Sequence, residues 1–158
     1  MEIAEIKEKF SSLEKKINYK FKNQNLLINA LTHKTYAFEA EIPLEFNERL
    51  EFLGDSILGF IVAEQLYKEN RYFSEGELTR RRSIQVNNRF LAKKAQELGL
   101  GDFLLFGRGE KKQNGDKNPT NLANALEALV GAIYLDSDLK KVRNFIYKNI
   151  FTKTSVGL

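Results

Sequence analysis

The chain has 158 residues, 42% of them apolar, which suffices for one domain with a sizeable core. It holds no cysteine and a single histidine, His33, so disulfides, thiolate zinc sites and paired-histidine metal sites are excluded. A net charge of +4 and a pI near 9.2 permit an anionic partner without demanding one. No apolar run approaches the ~18–20 residues of a membrane span. The N-terminal MEIAEIKEKF has no signal-peptide core, because acids and bases interrupt each apolar stretch. The expectation is a cytoplasmic protein with no membrane association.

The apolar spacing is helical throughout, and no alternating run is long enough for a strand. The fold class predicted is all-α. A first helix is expected over Ala4–Ile17, with Ile6, Phe10, Leu13 and Ile17 on one face. A second begins near Asn25 and carries Leu26, Leu27, Ala30 and Leu31. A long helix is expected over Asn47–Lys68, then shorter ones over Glu75–Ile84 and Asn88–Leu98. Another starts after Pro119, with Thr120 as its cap, and ends near Leu135. The last covers Asp138–Ile150. Between these, Gly107–Asn121 is polar and rich in Lys, and reads as a mobile surface loop. The domain is expected over residues 1–150, with 151–158 a frayed tail or the start of a linker.

The long helix carries acids in an unusual setting. On a helical wheel Glu48, Glu51 and Asp55 fall within a sector of roughly 60°. The same face continues as Gly59, Val62 and Leu66, and the opposite one is Leu50, Leu53, Ile57, Phe60 and Ile61. A helix apolar on most sides belongs at the centre of a domain. Glu51 and Asp55 are therefore expected in a partly buried region, where like charges need a raised pKa, a basic partner or a cation.

A second helix adds to this. Glu127 is the only acid between Thr120 and Leu135, and Asn124 lies one turn earlier on the same face. Ala123, Ala128, Gly131 and Ala132 are small enough to admit a close neighbour. If the two helices pack together, Glu51, Asp55, Asn124 and Glu127 converge as an oxygen-only set suited to Mg²⁺ or Mn²⁺. A hard cation there would activate water and stabilise charge on a phosphoryl oxygen. A di-iron bundle is disfavoured, since such sites use Glu-x-x-His pairs.

The run NERLEFLGDSIL (Asn47–Leu58) resembles the signature of the ribonuclease III family. ALTHKTY (Ala30–Tyr36), GELTRRRSIQVNN (Gly76–Asn88), LGLGDFLLFGRGE (Leu98–Glu110) and LEALVGAIYLDSD (Leu126–Asp138) are similar to further family segments in the same order. The similarity runs from about Leu13 to Ile150.

The resemblance implies a helical endonuclease domain with two central acid-bearing helices, acting as a homodimer on double-stranded RNA. It implies hydrolysis to 5′-phosphate and 3′-hydroxyl ends, with Mg²⁺ as cofactor, Mn²⁺ as a substitute and no small-molecule cofactor. Glu51, Asp55 and Glu127 match the metal-binding carboxylates. Glu48 and Glu75 match acids tied to the RNA-facing cleft, and Phe52 an aromatic that packs into the partner subunit. Ribosomal RNA precursors, with messenger RNA processing and turnover, are the implied substrates.

Two departures stand out. Asn124 occupies a position where the family usually has Asp, so the site loses one negative charge and metal affinity should fall. The chain also stops where the linker to a double-stranded RNA-binding domain would begin. Ser56 reads as a local helix residue, and His33 as a packing or hydrogen-bonding residue. Arg80, Arg81 and Arg82, with Lys111, Lys112 and Lys117, are solvated charges that would contact phosphates if an RNA cleft lies beside them. Two other readings compete. One is a weakened or inactive RNA-binding member, supported by Asn124. The other is a structural bundle with buried salt bridges, which predicts a basic partner near Glu127.

Overall fold

The computed structural model describes residues 3–151. Helices α1 (Ile3–Ile17), α2 (Gln24–Leu31), α3 (Lys34–Glu39) and α4 (Glu48–Glu69) form the first half. The second half holds α5 (Glu75–Val86), α6 (Asn88–Glu97), α7 (Arg108–Lys112), α8 (Pro119–Asp136) and α9 (Leu139–Asn149). No strand occurs among the described residues; Thr32 and Leu105 form one isolated bridge. The all-α expectation holds, and each long helix falls within a few residues of its expected bounds.

Local chemistry fixes the boundaries. Ser74 caps α5 by accepting from the Glu77 N–H at 3.2 Å, and Glu75 and Glu77 complement the helix dipole in the first turn. Asn87 caps α6 through the Phe90 N–H at 2.8 Å, and Asp138 caps α9 through Lys141 at 2.8 Å. The start of α8 differs from the expected one. Asn118 is the cap, accepting from Thr120 at 2.9 Å and Asn121 at 3.3 Å. Pro119 then takes the first helical position, where its missing N–H is not needed.

The segment Gly107–Asn121 is not the free loop expected of it. It contains α7 and a 3₁₀ turn at Gly115–Lys117, and both are tethered. The Gly107 N–H donates to Thr35 Oγ1 at 3.0 Å, and the Arg108 N–H to Glu39 Oε1 at 3.0 Å. Asn121 Nδ2 donates to Glu110 Oε1 at 2.7 Å and to the Gly115 carbonyl at 3.1 Å. Polar groups bonded to distant partners leave no apolar period to read. The tail departs from the frayed reading at its first residue: Phe151 is buried against the core. Residues 152–158 lie outside the described part.

The central element is α8, with α2, α4, α6 and α9 packed against it. Every residue from Leu122 to Ile133 except Asn124 is buried. Against it, α4 buries Leu50, Gly54, Ile57, Leu58, Ile61, Val62 and Leu66. It is not enclosed on all sides, however. Phe60, expected on an apolar buried face, is 52% exposed, and Phe52 and Tyr67 are exposed at 78% and 75%.

The α4–α8 crossing positions the site. A Cβ on Gly54 would overlap the Glu127 carbonyl oxygen, and one on Gly131 would come within 2.5 Å of the Leu50 carbonyl. The two backbones thus touch where both helices dispense with a side chain. The small residues of α8 serve as expected, and Gly54 is their counterpart on α4.

Candidate active site

The crossing sets Glu51 and Asp55 of α4 beside Asn124 and Glu127 of α8. These four, with Glu48, Phe52 and Asn88, line an open cleft of about 510 Å³. The convergence expected for Glu51, Asp55, Asn124 and Glu127 is therefore present, and Glu48 joins them. Glu75 does not: it sits exposed in the first turn of α5, outside this cleft. Asn88, the first residue of α6, is a lining residue with no spacing signal in the sequence to mark it.

The carboxylates differ in depth. Glu127 is 6% exposed, Glu51 half-buried and Asp55 exposed. Burial pushes the Glu127 carboxyl up to about 8, helped by a hydrogen bond with Asp55 and by the charges of Asp55 and Glu51. Glu51 is raised by its burial and by Glu48 and Asp55, with Lys34 working against them. Lys34 pairs with Glu48 at 3.1 Å. Among the described residues no basic side chain pairs with Glu51, Asp55 or Glu127, which removes the support for buried salt bridges.

Asn124 sets one end of its amide about 3.3 Å from Glu51 Oε1 and 3.2 Å from the Thr120 carbonyl; with nitrogen at that end it donates to both, and with oxygen there it faces two acceptors, an arrangement that a bound cation would satisfy.

The donor set is oxygen-only, carries three unpaired carboxylates and contains no thiolate or imidazole. That chemistry fits a hard divalent cation. As they stand, no three carboxylate or histidine side chains among the described residues are gathered closely enough to cage one. Closure therefore needs side-chain rotation, which Asp55 and Glu51, both solvent-accessible, can supply.

The remaining sequence candidates fall outside the cleft. His33 caps α3 and sets Nδ1 2.8 Å from Thr35 Oγ1, a structural role as expected. Ser56 Oγ donates to its own helix at the Phe52 carbonyl, 3.4 Å away. Arg80 and Arg81 both engage Glu77 at 2.8 Å, and Arg81 stacks on Phe73. No helix among the described residues is long and apolar enough to cross a membrane.

A sequence model of the Ribonuclease-III-like family matches residues 23–154. The chain is 47% identical to a Ribonuclease 3 of Idiomarina loihiensis over 136 residues, covering 86% of this chain and 57% of that one. A Ribonuclease 3 of Caldanaerobacter subterraneus is 43% identical over 149 residues, 92% of this chain and 65% of the relative. The chain thus spans about three fifths of the curated relatives it matches. The nuclease domain of ribonuclease III from Campylobacter jejuni superposes with a TM-score of 0.83 at 37% identity, covering 94% of this chain and 96% of that one. A second structure of that domain, described for flexibility in a region involved in dimer formation, gives 0.80 at 40% identity, covering 89% and 97%. The helical order, the paired acid-bearing helices and these matches agree: the chain belongs to the ribonuclease III family.

Proposed function

We propose that this chain is the cutting domain of a double-strand-specific endoribonuclease that hydrolyses phosphodiesters with a divalent cation. The observation that carries the reading is the juxtaposition of two clefts. The acidic one shares Asn88 with a groove of about 360 Å³ lined by Arg89, Lys93 and Lys117. A strand whose phosphates lie on the basic groove would present its next phosphate to the carboxylates. Contacts of this kind give affinity without base choice, and A-form duplexes are read by shape and 2′-hydroxyls.

Glu51, Asp55 and Glu127 are the residues that would hold Mg²⁺, or Mn²⁺ in its place, with Asn124 beside them. Such a cation supplies a water of lowered pKa and charge stabilisation at the phosphoryl oxygen. Glu127, buried on the rigid central helix, fixes the position of the set. Glu48, held by Lys34, adds negative potential at the mouth. No side-chain nucleophile is required, and the products carry 5′-phosphate and 3′-hydroxyl ends.

The same reading makes the active form a homodimer. Phe52, Phe60 and Tyr67 form an exposed stripe within roughly 80° on α4. Phe52 borders both the acidic cleft and an apolar groove of about 840 Å³ lined by Leu26, Phe46, Leu50, Leu53 and Leu135. An exposed aromatic next to an apolar hollow on one chain is self-complementary under a two-fold axis. Cytoplasmic ribosomal and messenger RNA precursors are the substrates expected on the family resemblance.

The second reading, a weakened, RNA-binding form, rests on Asn124 in the place of the family's usual Asp. Cleavage of a long RNA duplex in Mg²⁺ and in Mn²⁺, with end analysis of the products, separates the two readings.

A further inference from the structure

We infer that His33 is a pH-sensitive clasp: its neutral ring caps α3 and holds α7 against it, and protonation of the ring opens that contact. The clasp lies outside the acidic cleft and does not depend on the chemistry proposed there.

Main-chain geometry fixes the form of the ring. Nδ1 accepts the Thr35 N–H at 3.3 Å, and the backbone sets the direction of that proton. A nitrogen that accepts carries no proton, so the ring is neutral with its proton on Nε2. The Thr35 hydroxyl, 2.8 Å away, then donates to the same Nδ1, and its oxygen accepts the Gly107 N–H at 3.0 Å. One chain of hydrogen bonds joins Gly107, Thr35 and the His33 ring.

The two short helices depend on this chain. α3 has six residues, and neither α3 nor α7 buries a residue of its own, so apolar packing does little to keep them in place. Their other link is Glu39, which accepts the Arg108 N–H at 3.0 Å. The approach is close: a Cβ on Gly107 would come within 2.7 Å of the Thr35 carbonyl oxygen and of Glu39 Oε1.

Protonation works against the contact. With both ring nitrogens donors, Nδ1 turns a proton toward the Thr35 N–H, and α3 loses its cap. The new positive charge also sits at a helix N-terminus, where the dipole disfavours it. The Phe106 ring packs against the imidazole, centroids 5.3 Å apart. Burial leads in holding the ring below its ordinary 6.5; Glu110 of α7 and Glu48 of α4 oppose it, and Lys34 of α3 adds to it. A depressed folded value means that the contact is at full strength above 6.5 and weakens as pH falls below it. Lys34, the first residue of α3, is then drawn from Glu48 as α3 opens.

NMR on the full chain tests this, and His33 is the only histidine, so its ring signal is unambiguous. Titration of the His33 Cε1–H should give a midpoint below 6.5; a midpoint at or above that value overturns the clasp. Amide-exchange protection at Thr35 and Gly107 should fall about two- to tenfold between about pH 7.5 and about pH 5.5. A smaller fall overturns the clasp. His33→Asn keeps a capping acceptor that does not titrate, so its protection should stay constant over that range. A fall equal to the parent's would assign the effect to another group and overturn the proposal. If His33→Asn does not fold, Glu110→Gln takes its place: it removes an opposing charge and should lower the His33 midpoint further, whereas an unmoved or raised midpoint would overturn the coupling of α7 to the ring.

Discussion

Gly54 of α4 lies directly against the main-chain carbonyl of Glu127 in α8, so that the residue carrying the deepest acid of the cleft is also a point of backbone contact in the helix crossing. The separation of Glu51 and Asp55 from Glu127 is set there by two backbones in contact. Side-chain rotation of Glu51 and Asp55 adjusts the carboxylates only within that backbone spacing.

Gly54→Ala must therefore force the helices apart, because the overlapping atom is backbone and cannot rotate away. The expected cost is about 3 kcal/mol in urea denaturation, at the upper end of overpacking effects. Cleavage should fall with it, through loss of geometry. An alanine variant with unchanged stability and rate would contradict the crossing described.

Glu127 gives a pH signature. Its carboxyl is held up to about 8 in the fold, against an ordinary 4.5. The unfolded chain releases this proton first, so stability falls as pH rises from about 4.5 to about 8 and stays low above that. Glu127→Gln removes the penalty. Its melting temperature in chelator should exceed the parent's by about 5 °C at pH 9, with the gain vanishing near pH 4. An equal gain at both pH values would exclude the carboxyl as its source.

Phe52 tests the dimer. Truncating an exposed aromatic at the centre of an interface costs at least ~2 kcal/mol, or roughly 30-fold in dissociation constant. Sedimentation of Phe52→Ala at micromolar concentration should show monomer where the parent is dimeric. Because the side chain is exposed in the single chain, the fold should be unchanged. A parent that sediments only as monomer would contradict the proposed pairing.

Asp136 ties the end of α8 to the turn before α2. It accepts from the Tyr19 hydroxyl at 2.6 Å, the Asn23 N–H at 2.8 Å and the Lys22 N–H at 2.9 Å. Burial works to raise this carboxyl, and the three hydrogen bonds outweigh it, holding it below its ordinary 3.8. Asp136→Asn should cost about 1–2 kcal/mol at neutral pH. The folded pKa is depressed, so this stability is present above about 3.8 and is lost as pH falls through the lower folded value. The penalty measured by thermal melts should shrink as pH falls below about 3.8.

Periodicity carried much of this architecture. The spacing of Leu50, Ile57, Ile61 and of Leu122, Leu126, Leu129 marks α4 and α8 as central, and the isolation of Glu127 among apolar neighbours marks it as a candidate site residue. The shortest helices, α3 and α7, were not legible. α3 buries no residue, and α7 is held by Thr35 and Glu39 from far along the chain. The same limit applies inside the cleft. Asn88 arrives by tertiary packing. Phe60 reads as core by type; only the packed fold shows which face of α4 lacks a neighbour.

The most direct measurement is cleavage of a long RNA duplex by the parent and Glu127→Gln in Mg²⁺, in Mn²⁺ and in chelator. The expected result is 5′-phosphate products from the parent with either cation, none in chelator, and a loss on the order of 100-fold or more in the variant. Cleavage that survives Glu127→Gln or chelation, or a parent inert in both cations, would contradict a carboxylate-held cation as the source of activity.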